Sequence, residues 1–222
     1  MEFFTNSDYE VFTAANATVM KPEMAARRKA VQNKLITLHE SIYPEVQKLG
    51  LRCHKDKRHL TTEMIDRHTG RANTWLLIRY NNTPAAYDEF SSFTNYADIQ
   101  FGISEDKGFE IDLFLGRKDG VDRFEAMKRL HEDTAQITEA IAALKGYGLQ
   151  WILSCAEPFD LDTREPSEFC EWLASNDKLS EESYLTCFYS QDDDRISEQH
   201  ITEELLARIR QMLPLYRILT HR

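Results

Sequence analysis

Residues able to do chemistry gather most densely in one stretch, Arg52–Arg71, which reads RCHKDKRHLTTEMIDRHTGR. It holds six Lys/Arg and three histidines against Asp56, Glu63 and Asp66. A local cationic excess of this kind suits an anionic partner: guanidinium forks meet phosphate or carboxylate oxygens two at a time, and a neighbouring imidazole adds donors or gains charge as the pH falls. Arg52, Lys55, Lys57, Arg58, His59, Arg67, His68 and Arg71 are therefore the candidate ligand- or phosphate-binding residues. The plainer alternative is a solvated basic loop that balances acids elsewhere in the chain. The segment carries no aromatic side chain on which a base could stack, which argues against sequence-specific RNA recognition.

Other constellations are weaker. Cys53, His54, His59 and His68 are zinc-type donors within sixteen residues, yet their spacing matches no common finger and His54 and His59 do not share a helical face, so no metal is expected. Asp98, Glu110, Asp112 and Lys118 resemble the acids and lysine of a metal-dependent nuclease. The lysine fails the pattern, because Phe114 stands two residues after Asp112, and Glu110 and Asp112 read more simply as the solvent face of a half-buried strand. Asp192, Asp193 and Asp194 lack the alternating spacing of a calcium loop and read as a solvated turn. Cys155 ends an apolar run and reads as a small core residue rather than a nucleophile, and Gly116–Gly120 lacks phosphate-loop spacing and reads as a turn.

The whole chain narrows the choice of partner. It has 222 residues, is 42% hydrophobic and 29% charged, and carries few Gly or Pro, which fits a globular fold with one substantial core or two small ones and excludes fibres and disorder. The net charge of −10 is uneven: residues 1–80 hold 13 Lys/Arg against 9 Asp/Glu, and the remainder holds 14 against 28. An acidic majority disfavours diffuse binding to nucleic acid or anionic membrane, while a local basic patch can still hold phosphates. No apolar run reaches the roughly 18 to 20 residues that span a bilayer, and MEFFTNSDYE does not look like a secretory signal, so a cytoplasmic location without membrane contact is expected. In that compartment the four cysteines, Cys53, Cys155, Cys170 and Cys187, are expected to be reduced.

Three strands at the centre, Thr74–Tyr80, Ala97–Ser104 and Gly108–Gly116, must position whatever chemistry the chain performs. In the second and third the apolar residues alternate, Ile99, Phe101 and Ile103 answering Phe109, Ile111 and Leu113 across a turn at 105–108. That pattern predicts an antiparallel hairpin with one face on a core. A capping box at Ser7–Glu10 should open a short helix, and Pro22 should start a second striped by Met24, Val31, Leu35, Leu38 and Ile42, kinked or restarted at Pro44 and closed by Gly50. Asp122 should cap one long helix striped by Phe124, Met127, Leu130, Ile137, Ile141 and Leu144. Leu149–Cys155 and Tyr184–Tyr189 read as further strands with a helix over Glu168–Ala174 between them, and Ser197–Arg222 reads as a last helix interrupted at Pro214. The resulting expectation is an α+β fold: one domain over 1–222 with a central, mainly antiparallel sheet flanked by long amphipathic N-terminal, middle and C-terminal helices.

Several short runs together resemble a known family. Asp8–Thr13 (DYEVFT), the helix Met24…Val31-Gln32-Asn33-Lys34-Leu35…His39-Glu40…Pro44…Gly50, the strand opening Asn73-Thr74-Trp75, the block Ile99–Ile103 (IQFGI) and the ending Leu215-Tyr216-Arg217 are similar in pattern and order to the YktB-like uncharacterised bacterial proteins. The resemblance implies a compact α+β domain with a central antiparallel sheet, and no particular activity. The family's basic-aromatic run between the Thr-Trp strand and the Gln-Phe-Gly strand is replaced here by Tyr87–Ser92 (YDEFSS), so a function resting on that run does not carry over.

Two functional expectations follow. The first is a non-enzymatic binding or accessory protein that uses the basic segment to contact nucleic acid or an acidic protein partner, with no cofactor. The second is an enzyme acting on a phosphorylated or otherwise anionic small molecule, with His54, His59 or His68 as acid-base group converging with Glu110 or Asp112 in a cleft.

Overall fold

The structure, a computed structural model, describes residues 2–16, 22–54, 56, 59–62, 71–83, 95–104 and 108–221. Six strands among these form one sheet: β1 Trp75–Tyr80, β2 Asp98–Ser104, β3 Gly108–Phe114, β4 Gln150–Leu153, β5 Ala156–Asp160 and β6 Ser183–Tyr189. Their order across the sheet is β1-β2-β3-β6-β4-β5, and every neighbouring pair is antiparallel. The helices are α1 Asn6–Glu10, α2 Pro22–Lys48, α3 Val121–Glu132, α4 Thr134–Ala142, α5 Phe169–Asn176 and α6 Ile201–Thr220. The fold is α+β with a central antiparallel sheet.

The β2–β3 hairpin has the register that its alternation requires, with Phe101 opposite Ile111 and Ile103 opposite Phe109. Those four side chains, with Leu76, Ile78, Leu185 and Tyr189, are buried in the core, and α2 and α6 pack near β1, β2 and β3. Each such burial contributes roughly 1.5–3 kcal/mol relative to exposure. The core explains why both internal prolines are tolerated. Helix α2 runs through Pro44 and α6 through Pro214 without a break, contrary to the expected interruptions. Losing a backbone donor costs about 3 kcal/mol. Buried Ile42 and Val46 flank the first proline and buried Leu213 and Leu215 the second, so each helix keeps apolar contacts on both sides of the defect.

Elsewhere local hydrogen bonds moved the expected boundaries. The short first helix is capped by Thr5 rather than Ser7, its amide donating to Asp8 Oδ2 at 2.7 Å. The long middle helix is two helices broken at Asp133, whose φ of −116° and ψ of 27° leave the helical region. There the Thr134 hydroxyl donates to the Leu130 carbonyl at 2.6 Å and Arg129 Nη1 to Asp133 Oδ2 at 3.3 Å, side-chain bonds that compete with the helical ladder. Gly120 occupies the N-cap of α3; Asp122 lies inside the first turn, where Oδ2 accepts from the Ala97 amide of the β2 approach at 2.8 Å. Phe124 is not part of the apolar stripe and is 72% exposed.

The run expected as one strand to Cys155 ends at Leu153, leaving Cys155 exposed in the turn that leads to β5. Strand β5 itself was not expected; it contains Pro158, and as the outermost strand of the sheet it needs no bond from that missing donor. The 116–120 stretch is a turn closed by the Gly120 amide on the Arg117 carbonyl at 2.8 Å, and Asp193 opens a short 3-10 turn in which Arg195 binds its carboxylate. Of the turn expected at 105–108, residues 105–107 lie outside the described residues, as does 87–92, and Gly108 opens β3.

Candidate functional site

Strand alternation sends the odd-numbered residues of β2 and β3 to the helices and the even-numbered ones to the opposite face. The register then aligns a polar row across the sheet: Arg79 of β1 stands opposite Gln100 of β2, Gln100 opposite Asp112 of β3, and Asp112 opposite Thr186 of β6. In the adjoining row Gly102 lies between Leu77 and Glu110 and places no side chain there. An added Cβ at Gly102 would overlap the Leu76 carbonyl oxygen, so the position has room for glycine alone.

Hydrogen bonds tie the polar row together. Arg79 Nε donates to Gln100 Oε1 at 3.2 Å, and Gln100 Nε2 donates to Asp112 Oδ2 at 3.2 Å. The guanidinium requires the amide oxygen and the carboxylate requires the amide nitrogen, so Gln100 has one orientation. On this face lies a cavity of about 280 Å³ lined by Arg79, Gln100, Glu110 and Asp112, with Trp75 toward one end of the strands and Phe114 and Tyr184 toward the other. The expectation that Glu110 and Asp112 form a solvent face is wrong: they are 6% and 2% exposed. Strand β3 is central, with β2 on one side and β6 on the other, and neighbouring strands shield side chains that would be wet on an edge.

Asp98, at the start of β2, sits on the same face in the next row, opposite Phe114. It is fully buried, and neither carboxylate oxygen has a hydrogen-bond partner. Its cation is Arg79, with Nε 3.8 Å from Oδ2. Burial, opposed by Arg79 and reinforced by the charges of Asp112 and Asp122, pushes its carboxyl up to about 7.

The basic segment is placed only in part. Arg52 pairs with Asn81 in an isolated bridge beside β1, and its Nη1 donates to the carbonyls of Gln47 and Leu51, each at 2.9 Å. Its guanidinium is thus engaged at the end of α2. His54 is buried and accepts at Nδ1 from the Asp56 amide at 3.0 Å; His59 is half-buried with its ring 5.2 Å from that of His54, edge to face. Arg71 is exposed. Lys55, Lys57, Arg58, Arg67 and His68 lie outside the described residues. Neither His54 nor His59 lines the sheet cavity, so among the described residues no histidine converges there with Glu110 or Asp112. Lys118 pairs with Glu181 at 3.0 Å on the surface, away from the lysine position a nuclease would need. No three His, Cys, Asp or Glu among the described residues come together as a metal site, and no described helix is long and apolar enough to cross a membrane. All four cysteines are unpaired.

The sheet cavity was missed because its acids sit at alternate positions, which by itself is also the mark of a wet strand face. A signal was present in Gln100 and Gly102: residues that form few strands, placed within one strand, point to a specific bond and a close approach. No family model matches the sequence, and no curated protein matches it.

Proposed function

We propose that this chain binds a small organic molecule in the cleft on the polar face of its sheet, a molecule whose flat ring carries both hydrogen-bond donors and acceptors. The observation that carries this reading is the meeting of Arg79, Gln100, Glu110 and Asp112 with Trp75, Phe114 and Tyr184 around a single cavity. Small-molecule sites combine an apolar wall with a few positioned polar groups. Here Arg79 supplies donors, the carboxylates supply acceptors and Gln100 supplies both, while the aromatic side chains at the two ends offer apolar contacts to a ring.

The test is a thermal-shift and NMR screen of heteroaromatic compounds, including free nucleobases and nucleosides, against the protein and its Trp75→Ala and Gln100→Leu variants. A ligand that shifts the Trp75 indole signal and loses affinity at least tenfold in both variants supports the cleft. Hits unaffected by either substitution would remove it.

A second reading keeps the basic segment as a contact for nucleic acid or an acidic protein. Exposed Arg71 supports it, whereas Arg52, engaged with backbone carbonyls, does not. An anisotropy titration with DNA and RNA at low salt tests it, and Arg71→Glu should weaken any binding seen. Kinship with the YktB-like proteins is likewise proposed, on the residues quoted above.

A further inference from the structure

Arg79 belongs to two environments. Its side chain lines the cleft, and its Nε is 3.2 Å from Gln100 Oε1 and 3.8 Å from Asp98 Oδ2. The second distance is too long for a hydrogen bond. The side chain is 20% exposed, and its described side-chain hydrogen bond is made through Nε. Asp98 does not line the cleft; of the lining residues it faces Arg79 and Asp112.

We propose that Asp98 governs the availability of Arg79: ionised, it holds the guanidinium against the sheet, and protonated, it leaves the guanidinium to a carboxylate on the ring of the bound ligand. The proposal rests on the cleft reading given above and names an anionic substituent for that ligand. Asp98 is thus a positioning residue.

The groups that face Asp98 make its ionisation costly. On β1 the neighbour is Arg79, on β3 it is Asp112, and from the first turn of α3 it is Asp122, whose Oδ2 accepts from the Ala97 amide. Two of those three carry the same charge that Asp98 would acquire. The carboxyl has no hydrogen bond to stabilise an anion, and its side chain is wholly excluded from water. Among the described residues the one favourable partner is Arg79, so loss of the Asp98 proton increases the pull on a guanidinium that a ligand would otherwise use. A titration midpoint near neutrality, about 7, places this competition in the ordinary pH range.

The closing experiment uses benzoate, benzamide and benzamidine, which share a ring and differ in charge. Binding to the full chain is followed by NMR at the Trp75 indole and the Arg79 Nε–H between pH 5.5 and 8.5, with the Asp98 carboxyl carbon read in the same samples. Benzoate affinity should be flat below about pH 6 and fall about tenfold for each unit above about 7, in step with the Asp98 carbon. Benzamide should show no such slope and benzamidine no preference for low pH, and in Asp98→Asn benzoate should bind with the low-pH affinity throughout. Benzamide binding in the cleft together with pH-independent benzoate binding, or a benzoate slope that persists in Asp98→Asn, would overturn the role of Asp98 and leave the cleft standing. No response of the Trp75 indole to any of the three probes at pH 5.5 would overturn the cleft reading, and this proposal with it.

Discussion

The guanidinium of Arg123 meets the carboxylate of Asp177 with both side chains shut away from water, Nη2 lying 3.0 Å from Oδ1. The pair ties the first turn of α3 to the 3-10 turn that follows α5, and the same guanidinium also donates to the carbonyls of Asp177, Ser180 and Glu181. Every charge in the arrangement has a partner, which is the condition under which a buried ion pair is tolerated. Removing one member strands the other. Arg123→Ala should therefore lower stability by about 3–5 kcal/mol, read as a fall in urea midpoint. A loss below about 1 kcal/mol would mean that water reaches Asp177.

Asp98 should make stability fall with pH. Its folded-state carboxyl titrates near 7 against an ordinary value of 3.8, so the folded chain holds the proton more tightly between those limits. The contribution is present in full below about pH 4, is lost as the pH rises, and levels off above about 7; complete loss amounts to about 4 kcal/mol. Asp98→Asn cannot ionise. The difference in unfolding free energy between the variant and the parent should grow in the variant's favour from pH 4.5 to about 7 and then level off, and a constant difference would refute the raised value.

Gly102 should resist substitution. Because an added Cβ meets backbone at Leu76 and not the flexible end of a side chain, Gly102→Ala should cost about 2 kcal/mol or more. Thermal melts of the variant beside Ser104→Ala, at a half-buried position of the same strand face, provide the comparison. Equal melting temperatures would mean that β1 and β2 can part without penalty.

On α3 the two apolar residues Phe124 and Leu130 have opposite surroundings, 72% and 1% exposed. Phe124→Ser should change stability by no more than about 0.5 kcal/mol, and Leu130→Ser should cost several. Chemical denaturation of both variants decides. A similar large loss for each would restore the continuous stripe that the sequence suggests and the structure does not have.

What could be read from the sequence is what depends on neighbours along the chain. Alternation at Ile99, Phe101 and Ile103 against Phe109, Ile111 and Leu113 specifies a hairpin and its register, because a slip of one residue would turn the whole apolar set away from the core. The stripe of Val31, Leu35, Leu38 and Ile42 similarly specifies the buried side of α2. The polar face was another matter. Whether Glu110 and Asp112 meet water depends on β6, whose paired residues lie some 75 positions further on: Phe188 opposite Glu110 and Thr186 opposite Asp112. The same holds for Asp98, whose charge is opposed by Asp112 from the next strand and by Asp122 from the start of a helix, and for Arg79, which reaches Gln100 only through the register of β1 on β2. Local pattern specifies which face of an element is apolar, since that needs only its own periodicity. The burial of a polar side chain, and with it the cleft and the proton on Asp98, is decided by which distant strands close around it, a long-range property that periodicity does not encode.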